Sequence, residues 1–152
     1  MKKYSLYLSL ILLTACAEDT LFHSYMPLPV EEGWERSDTV RFYLPQAEEN
    51  INGILTIGLR TVAHIGIQEV VLAVEQCNET TGFCHRDTVH YPLEDAEGKA
   101  LSGGVNIHQY ETQHLPISIR KGQGNTIRIF HLMTHETVYG ITELGIRLDK
   151  TR

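Results

Sequence analysis

Apolar residues recur at every second position in run after run of this chain, and that pattern decides what it can fold into. Val40, Phe42 and Leu44 alternate with Arg41 and Tyr43, and Leu55, Ile57 and Leu59 with Thr56, Gly58 and Arg60. Val70, Leu72 and Val74 form a third set, although Val71 and Ala73 make both faces partly apolar. Ile117 and Ile119, Ile127 and Ile129, then Leu144, Ile146 and Leu148 continue the scheme. A strand sends successive side chains to opposite faces, so each run offers one face to a core. Turn-forming residues fall between the runs: Pro45, 50–53, Gly82, 95–98, Gly103-Gly104, 122–125 and Gly140. A short helix could occupy 134–140, but Thr and Val there oppose it. The expected fold is all-β, an antiparallel β-sandwich of jelly-roll-like or immunoglobulin-like form.

The first residues follow a different logic. Lys2 and Lys3 precede an apolar run over 4–13, and the small residues Thr14 and Ala15 lead into Cys16. This is the layout of a secretory signal peptide, and its run is about half of the roughly twenty residues that span a bilayer. Small residues directly before a cysteine resemble the bacterial lipobox. There the thiol is acylated and cleavage makes the cysteine residue one; several acyl chains together give stable anchoring. The expected organisation is a signal peptide over 1–15, a lipidated tether over 16–24 and one β-sandwich domain over 25–152. The expected place is the cell envelope as a membrane-anchored lipoprotein, the outer membrane first, with the leaflet open. Glu18-Asp19 resemble an acidic export signal of surface lipoproteins and suit an ordinary polar tether equally well.

Loss of Lys2 and Lys3 with the leader moves the formal charge from −6 to −8. An acidic chain without a basic cluster is a poor candidate for nucleic acid or for anionic lipid surfaces. With Cys16 lipidated, Cys77 and Cys84 remain as an even pair in an oxidising compartment. The polar stretch between them, Asn78-Glu79-Thr80-Thr81-Gly82-Phe83, reads as a hairpin tip. A bridge there would stabilise by about 2–3 kcal/mol on the chain-entropy model. Redox motifs place two residues between their cysteines, and structural zinc needs four ligands where only His85 is near.

No residue set specifies catalysis, a cofactor or a metal, so an enzyme is not expected. His131 and His135, His85 and His90, and His108 and His114 each lack a clear third ligand. Ser102-Gly103-Gly104 is not a nucleophile elbow, and Glu48-Glu49 and Glu94-Asp95 read as solvated turn residues. Arg60, Arg120, Arg128 and Arg147 should face outward from the sheets, paired with Glu75 or Glu143 or gathered into a docking patch. Trp34, Tyr43, Tyr25 and Tyr110 could line a carbohydrate-binding face or simply pack. Asp19-Thr20-Leu21, Asp38-Thr39-Val40 and Asp87-Thr88-Val89 resemble the three-residue O-glycosylation sequon of Bacteroidetes envelope proteins. Thr20 is the first candidate, from its place in the tether, ahead of Thr39 and Thr88, where turn-to-strand chemistry explains the triplets as well.

The C-terminal third runs from Ile127-Arg128-Ile129-Phe130-His131-Leu132-Met133 to Tyr139-Gly140-Ile141-Thr142-Glu143-Leu144-Gly145-Ile146-Arg147-Leu148. Upstream lie Trp34, Asp38, Phe42, 55–60, Asp87-Thr88-Val89, Tyr91-Pro92-Leu93, Asp95, Gly98 and Gly103-Gly104. In this order and spacing the chain resembles the gliding-motility lipoprotein GldH family of Bacteroidetes. Thr134 replaces the usual arginine after the methionine of the ending. The resemblance implies an envelope lipoprotein tied to the gliding apparatus and type IX secretion machinery, acting on envelope proteins as partners, with no catalytic residues to carry over. The rival expectation is a surface glycan-binding lipoprotein, and a small hydrolase is the least favoured.

Overall fold

The computed structural model describes residues 20–111 and 114–151. Eleven strands are found there: β1 (Thr20–Pro27), β2 (Trp34–Glu35), β3 (Val40–Leu44), β4 (Ile51–Val62), β5 (Glu69–Asn78), β6 (Cys84–Pro92), β7 (Ile107–Glu111), β8 (Leu115–Ile119), β9 (Asn125–His131), β10 (Thr137–Val138) and β11 (Ile141–Lys150). One sheet has the order β1-β11-β4-β7, with β8 also on β4; the other has β3-β9-β5-β6; β2 and β10 form a small ribbon. Every pairing is antiparallel.

β4 is long enough to take two partners along one edge, β8 opposite Ile51–Leu55 and β7 opposite Gly58–Val62. Taken as one interrupted strand, β7 and β8 complete a set of eight whose order is 1-8-3-6 in one sheet and 2-7-4-5 in the other. That wrapped order is the jelly roll, and it separates the two sandwich forms that the sequence pattern left open.

The alternation does what strand geometry requires. In β3, Val40, Phe42 and Leu44 are buried while Arg41 and Tyr43 are exposed. Leu55, Ile57 and Leu59 of β4 meet Leu72 and Val74 of β5, Ile127 and Ile129 of β9 and Leu144, Ile146 and Leu148 of β11 in one core. The central strands depart from simple alternation. Thr56 is buried although it points away from the core, and Gly58 and Gly145 form a smooth strip under Tyr25 of the edge strand β1, in register Tyr25–Gly145–Gly58. A Cβ on Gly145 would stand 2.5 Å from that ring. The strip is therefore a close approach of ring to backbone, the situation in which a strand tolerates glycine. Arg60 stacks over the other face of Tyr25, 4.1 Å from its centroid.

One expectation is corrected. The tether does not reach residue 24: Thr20–Pro27 is a strand, bonded along β11, because Phe22 and Met26 pack against the core and the free edge of β11 needs a partner. Residues 134–140 form no helix; Thr137 and Val138 pair with Glu35 and Trp34, and Val138 is buried.

Candidate functional site

Two regions of the surface carry unspent chemistry. The first is one end of the sandwich, where β6 passes to β7 through residues 93–106. Asp95 shapes this connection: its amide donates to the Lys99 carbonyl (2.9 Å), and its Oδ1 accepts from the amides of Glu97 (3.1 Å) and Lys99 (2.8 Å). The Leu101 amide donates to the Leu93 carbonyl at 2.8 Å, and the Ser102 hydroxyl to the Gln109 carbonyl at 2.5 Å. On this braced segment Leu101, Val105 and Ile107 stand in solvent, Val105 at 89% exposure. Ile107 lies opposite Val62, whose amide donates to the Gly140 carbonyl at 2.9 Å. Tyr139, the next residue, is 58% exposed. Gly33, at φ 80°, packs against its ring, three residues from exposed Val30.

The second region lies at the opposite end. A groove of about 600 Å³ runs between the β5–β6 tip and β8, lined by Asn78, Phe83, His85, Arg120, Gln123 and Asn125 among others. Cys77 and Cys84 face each other across the mouth of that hairpin with their sulfurs at bonding distance, 2.10 Å.

Between the ends, the outer face of the β3-β9-β5-β6 sheet holds a row Arg41–Arg128–Glu75–Arg86 in register. Both Arg86 and Arg128 donate to the Glu75 carboxylate, one to each oxygen. These bonds, chiefly that of Arg86, hold the Glu75 carboxyl below the usual range against the opposing effect of burial. The four arginines are thus not gathered into one docking patch, and two of them pair across strands with Glu75 and Glu143. Arg128 is on this sheet, Arg60 pairs with Glu143 on the other, Arg147 meets Glu111 and Asp149 there, and Arg120 follows β8 at the groove. The arginines lie on different sheets and at one end, which is why no single basic face forms.

The four aromatics of the carbohydrate reading are dispersed. Trp34 is wholly buried, its indole N–H donating to the Asp38 carbonyl at 3.1 Å. Tyr110 donates to the Leu93 carbonyl, Tyr25 covers the glycine strip, and Tyr43 alone stands in solvent on the other sheet. His131 is also wholly buried, edge-on to Trp34, with Nε2 3.2 Å from the Trp34 carbonyl and Nδ1 without a partner. Burial lowers its pKa. Among the described residues no three His, Cys, Asp or Glu side chains gather to hold a metal ion. Cys16 lies outside the described residues. Thr20, the favoured glycosylation candidate, is half-buried in β1 and donates to Asp149 at 2.6 Å; Thr39 is half-buried, and Thr88 is exposed in mid-strand on β6, at the sheet edge, rather than at a strand start. Sequence reasoning missed the Leu101, Val105 and Ile107 group; its signal was apolar residues set in a Gly-, Ser- and Asn-rich turn segment.

The family model of the GldH lipoprotein matches residues 20–148, from the first residue of β1 almost to the end of β11. The chain belongs to the GldH lipoprotein family. A lipoprotein family implies a membrane-anchored place in the envelope, and the family is associated with gliding motility. No curated protein sequence matches. Solved structures resemble the GldH-family fold only loosely. The Cry4Aa mosquito-larvicidal toxin of Bacillus thuringiensis gives a TM-score of 0.49 at 8% identity, covering 89% of this chain and 22% of the toxin. A CocE/NonD family hydrolase of Staphylococcus aureus gives 0.37 at 10% identity, covering 90% and 32%. The Eiger TNF of S. frugiperda gives 0.34 at 7% identity, covering 88% and 94%. The chain thus spans about a fifth to a third of the first two, and none of the three likenesses bears on function.

Proposed function

We propose that this GldH-family chain is a non-enzymatic envelope lipoprotein that works by contact with other envelope proteins, the gliding-motility or type IX secretion components first among them. The observation that carries the contact reading is the apolar group at one end, Leu101, Val105 and Ile107, with Val105 at 89% exposure on a braced segment. Connections of this length that are ordered yet exposed are commonly functional. Large apolar side chains left wet on a braced segment favour a contact site, because leaving them exposed forgoes their burial energy. Acylation at Cys16 is the anchor in this reading, and the outer membrane its place. The dispersal of Trp34, Tyr25, Tyr43 and Tyr110 leaves the glycan-binding alternative without an aromatic face and resting on fold-level analogy.

The test is isolation of the tagged lipoprotein from intact envelope, beside a Val105→Asp/Ile107→Asp double variant of equal abundance and equal melting temperature. Co-isolation of motility or secretion components that is lost in the variant supports the reading. Co-isolation indifferent to the variant, or retention on immobilised polysaccharide instead, refutes it.

A further inference from the structure

The end of the sandwich opposite Val105 gathers three turns and the start of the fold. The Gln46 side chain donates to the Gly122 carbonyl (2.6 Å), the Lys121 amide to Asn50 Oδ1 (2.9 Å) and the Glu79 amide to the Gly124 carbonyl (3.0 Å). The β3–β4 loop, the β5–β6 tip and the β8–β9 turn are therefore one braced plate. Thr20 lies at the same end, since it pairs with Asp149, which pairs with Ile54, which faces Pro116 of β8. Cys16 precedes Thr20 by four residues. Four residues span at most about 14 Å even when fully extended. A lipid on Cys16 thus leaves the plate no room to stand far from the bilayer.

We propose that this plate lies on the headgroup layer of the bilayer that holds the Cys16 lipid, with Phe83, Arg120 and Lys121 touching lipid and the groove beside Phe83 taking phosphate headgroups. The proposal rests on the anchored-lipoprotein reading above. Phe83 is 68% exposed at the hairpin tip. An uncovered ring is costly in water and suited to the apolar side of a headgroup layer. Arg120 and Lys121 have no acidic partner among the described residues, and cations near a membrane surface are drawn to anionic headgroups. Of the acids at this end, Glu49 pairs with Lys150 and Asp149 with Arg147, while Glu48 and Glu79 keep their charge, Glu79 accepting only from the Thr126 hydroxyl. Arg120 lines the groove together with Gln123 and His85, so its guanidinium is placed to meet a headgroup phosphate there. β4 runs between the two ends over Ile51–Val62. At about 3.3 Å per residue it holds the Val105 end roughly 40 Å from the bilayer, free to meet proteins.

The experiment uses the processed, lipidated chain in vesicles of phosphatidylethanolamine and phosphatidylglycerol, with and without a lipid bearing a nitroxide on its headgroup. Trp34 is the one tryptophan and is wholly buried, so it supplies a constant background. Phe83→Trp and Val105→Trp each add one reporter, with melting curves confirming the fold. Flotation with the vesicles is read in the same samples. The expected result is that the added emission of Phe83→Trp is mostly lost in nitroxide vesicles, while Val105→Trp and the parent chain are unchanged. Floating protein in which Val105→Trp is quenched as strongly as Phe83→Trp, or in which Phe83→Trp is not quenched, overturns the orientation and leaves the anchor standing. Lipid-independent loss of flotation overturns the anchor and the orientation with it.

Discussion

Replacing Gly145 by Ala should destabilise the domain chiefly through Tyr25, whose ring atoms are the nearest to the new Cβ. The new Cβ would lie 2.5 Å from the Tyr25 ring carbons Cδ1 and Cε1 and 2.6 Å from Cζ. The ring has little room to yield, because Arg60 stacks 4.1 Å away and β1 is bonded along β11. Overpacking of this kind costs about 1–3 kcal/mol. Alanine regains about 0.5–1 kcal/mol by restricting the unfolded chain. The net loss should be about 0.5–2 kcal/mol, a fall of a few degrees in Tm for a domain of this size. Tyr25→Ala by itself should cost about 1–2 kcal/mol in buried ring and cation–π contact. In the Tyr25→Ala background, Gly145→Ala should become neutral or stabilising, so the double-mutant cycle shows a coupling of about 1–3 kcal/mol. Urea unfolding of the four proteins, read by Trp34 fluorescence, measures it. Additive effects, or a Gly145→Ala protein as stable as its parent while Tyr25 is present, would refute the close-approach account of the glycine strip.

Four further outcomes follow from the geometry. Glu75 has a lowered folded pKa, so its stabilisation is complete above the ordinary carboxylate value of about 4.3 and is lost as pH falls through the lowered one; Glu75→Gln should cost on the order of 1–2 kcal/mol near neutrality and flatten urea-unfolding stability below pH 4. His131 is held neutral by burial, so stability should decline as pH drops below about 6.5 and level off beneath its folded value, and His131→Leu should remove that slope from a Tm–pH series. Cys77 and Cys84 should resist alkylation until reductant is added, and a Cys77→Ser/Cys84→Ser protein should lose about 2–3 kcal/mol of stability. If the Asp-Thr-apolar triplets are modified, intact mass of native protein should show glycan lost first in Thr88→Ala, where the residue is exposed on an edge strand, and unchanged in Thr20→Ala, where the hydroxyl is engaged by Asp149.

The strands that could be read directly were those with one clean apolar face, such as β3 and the Leu144–Leu148 part of β11. The choice of jelly roll over immunoglobulin-like sandwich was not legible, because period two states which face is buried and says nothing about neighbour order. β1 was hidden because its sequence, Thr20–Pro27, mixes His, Ser and Tyr with apolar residues, as an edge strand may when only Phe22 and Met26 reach the core. β6 was hidden for the same reason: Cys84–Pro92 is mostly exposed, and only Val89 and Tyr91 are buried. The cysteine pair was visible from spacing, since the polar tip announced the hairpin that brings both residues into register. Val105 could be noticed but not placed. Whether an apolar residue in a turn-rich segment folds inward or stands out depends on packing with β7 and the β4 end, which lie far apart in the chain.

In the proposed arrangement the domain is held by its Thr20 end and meets envelope proteins with its Val105 end. Site-specific photocrosslinking in living cells tests it most directly, with a photoreactive side chain at Val105 and, separately, at exposed Tyr43 on the outer face of the β3-β9-β5-β6 sheet. The expected result is a discrete adduct from Val105 whose partner, identified by mass spectrometry, is a motility or type IX secretion component, and no such adduct from Tyr43. An adduct from Tyr43 with none from Val105, in protein that is folded and membrane-bound, would contradict it.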